Sequence, residues 1–217
     1  MQSPLRWLFI ALALLMACPI SLAGGKVFMK VDQALKLAFP DCKVERGTLV
    51  LSKEQQARVK KLGGSESGSR IVHPYVATKD GKLVGTAYFD THRVRTMRET
   101  LMVVVTPDGK VARTEMLAFG EPLDYLPSAR WYAQFLSKEL NADLQIKRKI
   151  KGIAGATLSA KAATACVRRA LAIHKVSAEK KPKPKPEPQP KKVPDKKDSE
   201  SHHASTVSSP RSARCKH

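Results

Sequence analysis

Two turns with Asp-Gly at their centre constrain the fold more than any other feature of the sequence. One covers residues 79–82 and the other residues 107–109, and each separates two apolar segments. Asp-Gly in this setting predicts a β-hairpin, and two successive hairpins predict an antiparallel sheet of about four strands. Helical periodicity on both sides of the hairpins predicts helices that pack on the sheet, so the expected fold class is α+β.

Shorter patterns predict helices outside the sheet. Apolar residues at helical spacing indicate a helix near 31–38, and Ser52 followed by Gln55 is a capping box for a second one. Ser128 is expected to cap a third helix, which carries Trp131. We interpret the segment that contains the first two helices as a helical extension of the main domain.

The longest helical pattern follows a stretch of small residues. From Ser159 onward, apolar positions recur at steps of three and four, and Ser159 is expected to be the N-cap. Gly155, Ala156, Thr157 and Leu158 stand just before it. This order places an unhindered threonine hydroxyl beside a helix N-terminus. The unpaired N–H groups and partial positive charge of such a terminus favour a phosphate.

The first 23 residues have the pattern of a secretory signal peptide. Arg6 supplies the positive charge, an apolar run covers residues 8–17, and small residues occupy the cleavage positions 21–23. We therefore expect a periplasmic or otherwise extracytoplasmic protein. A second pattern, which ends in Cys18, resembles a bacterial lipobox, and it leaves a lipoprotein anchored through Cys18 as the alternative.

The chain carries a formal net charge of +20 at pH 7. Residues 177–217 are rich in Lys and Pro and almost devoid of large apolar residues, so we expect a disordered tail. The tail is either a solvated spacer or a tether to an anionic envelope surface. Because the signal peptide directs the protein outward, no nucleic-acid partner is expected.

These patterns divide the chain into a signal peptide at 1–23, a helical N-terminal extension at 24–66, a main domain at 67–176 and the tail at 177–217. The spacing of Cys and His residues indicates neither a disulfide framework nor a metal site. The sequence also has no nucleotide-binding glycine loop and no nucleophile–base signature, so no catalytic residue is predicted.

The stretch Gly155-Ala156-Thr157 with its helix resembles the flavin-attachment segment of the FMN-binding domain family. The resemblance covers residues 71–176 and includes further parts in the same order: Gly85, residues 91–96 and residues 121–135. In this family a flavin transferase joins FMN through its phosphate to the threonine of the pattern Asp-x-x-Ser/Thr-Gly-Ala-Thr. The resemblance therefore implies a phosphoester of FMN at Thr157.

Two positions depart from that pattern, because Lys151 replaces the acid and Ala154 replaces the hydroxyl residue. The resemblance also implies contacts elsewhere. The aromatic faces of Tyr125 and Trp131 are candidates to flank the isoalloxazine ring, and both residues have core positions as the alternative. His92 and Arg93, in a polar connection between the hairpins, are candidates to contact the flavin or its phosphate, with a solvated connection as the alternative.

The expected function is that of an exported, membrane-associated flavoprotein in electron transport, and we expect a carrier or redox subunit rather than a stand-alone enzyme. It would require a flavin transferase and redox partner proteins, including membrane-bound ones. Two alternatives are a flavin-free binding or scaffold protein of the same fold and a flavin-dependent reductase. A visible flavin spectrum distinguishes the first, and turnover with a soluble donor and acceptor identifies the second.

Overall fold

A computed structural model describes residues 25–179 of the chain. The predicted signal peptide, Cys18 and all but the first residues of the predicted tail lie outside this range. Within it, an antiparallel sheet of six strands carries helices on both faces. The α+β class is thus confirmed, whereas the expected number of about four strands is wrong.

The described part of the chain contains eight strands and four α-helices. The strands are β1 (Lys26–Val27), β2 (Lys43–Arg46), β3 (Leu49–Val50), β4 (Ile71–Val72), β5 (Tyr75–Lys79), β6 (Lys82–Arg93), β7 (Arg98–Val105) and β8 (Val111–Phe119). The helices are α1 (Val31–Ala38), α2 (Lys53–Gly63), α3 (Ala129–Tyr132) and α4 (Thr157–Glu179), with single 3-10 turns at Leu123–Tyr125 and Ala133–Phe135. The main sheet has the order β1-β8-β7-β6-β5-β2, and β3 pairs with β4 separately.

Both Asp-Gly turns form the predicted hairpins. In the first, Asp80 and Gly81 have φ angles of 51° and 74°, as a type I′ turn requires at its two central residues. In the second, Gly109 has a φ of 81°, and the Thr106 N–H donates to the carbonyl of Lys110 at 2.8 Å. The hairpins pair with each other through β6 and β7, so they form the four central strands.

The two unexpected strands come from the segment at 24–66, which was expected to be helical. Strand β1 pairs with β8, and β2 pairs with β5, so this segment covers both edges of the four central strands. The two strands have only two and four residues and are largely exposed. They therefore lack the alternation of apolar and polar residues by which a sequence reveals a strand.

The sheet separates two hydrophobic layers. In β7, Leu101, Val103 and Val105 belong to the larger layer, which includes α4, whereas Met102 and Val104 belong to the smaller layer with α1. All five side chains are buried. Burial of both faces explains why this strand is a continuous apolar run.

The capping box at the start of α2 is confirmed. Ser52 Oγ accepts a hydrogen bond from the Gln55 N–H at 3.2 Å, and Gln55 Oε1 accepts one from the Ser52 N–H at 2.9 Å. Ser128 also caps α3 as predicted, but that helix ends at Tyr132. Between residues 25 and 179, no helix combines the length and the apolar character that crossing a bilayer requires.

Arg168 joins α4 to α2 from a buried position. Its guanidinium donates hydrogen bonds of 2.7–3.2 Å to the carbonyls of Leu62, Gly63, Asn141 and Leu144. Leu62 and Gly63 are the last residues of α2, where carbonyls lack partners within the helix and carry the negative end of its dipole. The buried cation is therefore stabilised by carbonyl dipoles.

We expect Arg168→Met to lower the free energy of unfolding by about 3 kcal/mol, because buried carbonyls lose their donors. Arg168→Lys should recover only part of this loss, since an ammonium group cannot reproduce the planar fork of donors. The control is Arg58→Met, which removes an exposed ion pair with Glu179 and should cost about 1 kcal/mol or less. Urea unfolding followed by circular dichroism measures both, and equal losses would contradict the prediction.

Candidate functional site

Thr157 lies in a cavity formed by three segments that are distant in sequence. They are the first turn of α4, the connection between β6 and β7, and the loop after β8. The cavity has a volume of about 180 Å³ and is lined by Val94, Arg95, Glu121, Tyr125, Gly155, Ala156, Thr157, Leu158 and Ser159. The whole stretch that the sequence singled out, residues 155–159, thus lines one cavity.

Helix α4 begins three residues earlier than the sequence predicted. Its first residue is Thr157, and the N–H of Ala160 donates to the carbonyl of Ala156 at 3.0 Å. Ala156 therefore holds the cap position, and Ser159, the expected cap, lies in the first turn with only 3% of its surface exposed. The reason is a turn at Gly155, which brings the chain into the helix before Ser159 is reached.

Gly155 is required by the backbone conformation of this turn. Its φ of +79° is strained for any residue with a side chain. No atom lies within 4 Å of the position that a Cβ would occupy, so crowding does not explain the glycine. Thr157, two residues further on, is exposed.

The first turn of α4 offers the cavity hydrogen-bond donors and partial positive charge that can bind an anion. The N–H groups of Thr157, Leu158 and Ser159 belong to the first turn of a helix, where they have no acceptor within the helix. They also carry the positive end of the dipole of a helix of 23 residues. Arg95 adds a full positive charge to the lining, and Glu121 adds a negative charge that its bonds to Thr96 and Met97 stabilise. The combination suits a phosphate group.

Glu121, which the sequence did not indicate as a site residue, holds the loop that carries Arg95. Its Oε1 accepts hydrogen bonds from the N–H groups of Thr96 and Met97, both at 3.0 Å. The bonds from Met97 and Thr96 lower the pKa of Glu121 below its ordinary value. Glu121 and Thr96 are 25 positions apart in the sequence. No local sequence pattern could therefore have revealed that Glu121 holds this loop.

The two aromatic candidates have different positions. Tyr125 lines the cavity and is 38% exposed, so part of its ring is available to a ligand. Trp131 lies in the core, with its ring centroid 5.2 Å from that of Tyr132 and 5.4 Å from that of Phe135. Its indole N–H donates to the carbonyl of Lys151 at 2.7 Å. Trp131 therefore anchors the segment that leads to the cavity and does not line it.

His92 and Arg93 are not among the residues that line the cavity. Arg93 is exposed at the end of β6. His92 contacts two carboxylates, with its Nε2 2.6 Å from Glu99 Oε1 and its Nδ1 3.3 Å from Asp90 Oδ1. Burial alone would lower the pKa of His92, but its bonds and charge interactions with Asp90 and Glu99 prevail and raise the pKa to about 9. His92 thus belongs to a separate buried polar cluster.

Residues 98–172 match the family model of the FMN-binding domain. This match confirms the resemblance to the FMN-binding domain family for that part of the chain. The matched segment includes Glu121, Tyr125 and residues 155–159, which together form most of the cavity lining. No curated protein and no solved structure matches the chain.

The chemistry of the cavity lining fits FMN. The N–H groups of the first turn and Arg95 suit the phosphate, and Val94, Tyr125 and Leu158 offer apolar surface to a flat ring. Its volume of about 180 Å³ is below the roughly 300–1,000 Å³ of pockets that enclose a ligand. The cavity can therefore cover only part of a flavin, so the remainder would lie at the protein surface.

We expect Glu121→Ala to loosen the loop at Arg95, because the N–H groups of Thr96 and Met97 lose their charged acceptor. Amide hydrogen exchange at these two residues should become about tenfold faster, which corresponds to one charge-assisted hydrogen bond of about 1.4 kcal/mol. Glu115→Ala, which removes a part-exposed ion pair elsewhere, is the control and should leave both rates unchanged. Unaltered exchange in Glu121→Ala would show that the carboxylate does not hold this loop.

Proposed function

We propose that this protein is an exported electron-transfer protein in which FMN is attached through its phosphate to Thr157. The observation that carries the proposal is the position of Thr157. Its side chain is exposed in the first turn of α4 and lines the same cavity as Arg95 and Tyr125. A flavin bound there supplies reversible electron transfer.

The side chains and backbone around Thr157 would bind and orient the cofactor. The N–H groups of the first turn and the Arg95 guanidinium would stabilise the negative charge of a phosphodiester on Thr157 Oγ. Thr157 is exposed, which a flavin transferase needs in order to reach its hydroxyl. The part-exposed ring of Tyr125 would stack against the flavin ring system.

The size of the cavity favours a carrier over a flavin-dependent reductase. A volume of about 180 Å³ does not enclose a flavin together with a second substrate. A ring that is only partly covered would instead remain within reach of redox partner proteins at the surface. We infer that these partners supply and accept the electrons, and that membrane-bound proteins are among them.

Covalent attachment would keep FMN on an exported protein. Outside the cytoplasm a dissociated FMN would be lost by diffusion, whereas a phosphoester to Thr157 would retain it. The signal-peptide pattern of residues 1–23 supports this location. Lipidation of Cys18 remains the alternative way of processing the same segment, and it would anchor the protein at the membrane.

Both departures from the family pattern are at the surface. Lys151 and Ala154 are exposed, so a flavin transferase would meet an ammonium group where the pattern has a carboxylate. The backbone at Lys151 is nevertheless fixed, because its N–H donates to Gln134 Oε1 at 2.8 Å and its carbonyl accepts from Trp131. The path of the segment is therefore well determined, and the departures change its charge and its hydrogen-bonding groups.

Protein purified from its native envelope should be yellow and should keep its flavin fluorescence through denaturing gel electrophoresis. Thr157→Ala should abolish this signal without unfolding the domain, since the side chain is exposed. Thr157→Ser is the matched control, and it should keep some signal because it retains a hydroxyl. Flavin that denaturant releases completely would contradict the covalent link, and protein without any flavin would support the scaffold alternative.

The intact mass of the same preparation tests export. A mass that lacks residues 1–23 and includes one FMN would support both parts of the proposal, whereas a mass that retains Met1 would contradict export.

We expect the wild-type protein to be flavinylated slowly by a flavin transferase from another organism. Lys151→Asp combined with Ala154→Ser should raise the flavin-to-protein ratio after a fixed time of co-expression. One charge-assisted contact of about 1.5–3 kcal/mol corresponds to a roughly ten- to hundredfold gain in efficiency. Lys149→Asp makes the same change of charge two residues away and should not reproduce the gain.

Equal gains from Lys149→Asp and from the double variant would attribute the effect to net charge and not to the pattern positions. A wild type that is already fully modified would show that neither Lys151 nor Ala154 limits recognition.

A further inference from the structure

Three side chains that could bind a metal ion lie close together, apart from the cavity at Thr157. Asp90 and His92 are on β6, and Cys166 is on α4. One potential ligand atom from each residue lies within 4.8 Å of the other two. The spacing of these residues in the sequence gave no indication of the group, because a strand and a helix bring them together only in the folded domain.

One ring nitrogen of His92 contacts a buried carboxylate, and the other could bind a metal ion. Its Nε2 is 2.6 Å from Glu99 Oε1, and metal-bound histidines almost always donate their second ring N–H to a group such as a carboxylate. This leaves Nδ1, which lies 3.3 Å from Asp90 Oδ1. Nitrogen and oxygen ligands of one tetrahedral zinc ion, each at about 2.0–2.1 Å, lie about 3.3 Å apart. Asp90 and His92 are already spaced as such a pair.

Neighbouring charged side chains fix the orientation of these ligands. Arg169 Nε donates to Asp90 Oδ2 at 2.6 Å, which fixes the carboxylate and leaves Oδ1 directed to His92. Glu99 is only 1% exposed, and its Oε2 has no hydrogen-bond partner among the described residues. A buried carboxylate oxygen of this kind is costly to leave unpartnered. A cation bound to His92 Nδ1 would offset its negative charge.

An ion has a route to the site. Asp90, His92 and Arg169 line a cavity of about 480 Å³ on their side of the domain. Cys166 is fully buried and not bonded in a disulfide, and it is not among the residues that line this cavity. Two ligands thus face the entrance, and the thiol lies in the protein interior.

We propose that Asp90, His92 and Cys166 form a zinc site that ties α4 to β6. One carboxylate, one imidazole and one thiolate are donors that Zn²⁺ accepts, and water from the cavity would complete four-coordination. Zinc would take the place of the protons on His92 Nδ1 and on the Cys166 thiol, which would be released to solvent, and the bond from His92 to Glu99 would remain. The site would fix the helix that carries Thr157, and it is independent of whether a flavin is attached there.

Cobalt substitution of the full-length protein tests the proposal, because Co²⁺ occupies tetrahedral zinc sites and a thiolate ligand gives it an intense charge-transfer band. Difference spectra against the metal-free protein cancel any flavin absorption. We expect one Co²⁺ per chain with that band, and displacement by Zn²⁺. Cys166→Ala should eliminate the band, and Glu99→Gln should weaken zinc binding about ten- to hundredfold through its effect on His92.

Three control variants should keep the band. Cys42→Ala removes the other described cysteine, which packs in the layer with α1. His174→Gln changes a histidine of α4 whose Nδ1 contacts Tyr88 at 3.1 Å. Cys215→Ala removes the thiol near the end of the chain. Circular dichroism establishes that each variant is folded, and zinc should raise the Tm of the wild type but not that of Cys166→Ala.

A folded wild type that shows no stoichiometric cobalt band overturns the proposal, whether or not the variants fold. A band that survives Cys166→Ala, or that disappears in Cys215→Ala, overturns it as well.

Discussion

The packing of α4 against the two-hairpin sheet is the interaction on which the rest of the structure depends. The buried side of this helix is built largely from small residues, with Ala160, Ala163, Cys166, Val167 and Ala170 at most 2% exposed. Small side chains let the helix backbone approach the sheet closely, so the helix position is determined by close packing along most of its length. That layer sets the position of the first turn of α4, where Thr157 lies, and the cavity depends on a core that extends well beyond it.

The features that the sequence predicted correctly are those whose information is local. The hairpin at Asp80 and Gly81 needs two residues with positive φ, and the capping box of Ser52 and Gln55 needs two side chains three positions apart. The position of Thr157 beside a helix start belongs to the same class, because a short motif is visible without a fold, whereas its role as flavin acceptor stays a prediction. The error at Ser159 arose within such a motif. Serine is a good cap in general, but the turn at Gly155 starts the helix before that residue.

The features that the sequence could not predict depend on contacts between distant segments. Strands β1 and β2 are too short and too exposed to show the alternation of apolar and polar residues. They form because their backbones pair with the edge strands β8 and β5 of the two hairpins. Glu121 is an ordinary acidic residue until β8 brings it to the N–H groups of Thr96 and Met97. For the same reason Trp131, a candidate ring contact in the sequence, is a core residue that positions the segment before Gly155.

The length of α4 has a consequence for how the domain would present its cofactor. The helix has 23 residues, so its two ends are about 34 Å apart. Thr157 is at one end, and the chain continues into the Lys/Pro-rich segment from the other. Glu179, the last residue of the helix, therefore lies far from Thr157, so any contact made by the segment that follows begins at a distance from the proposed attachment residue.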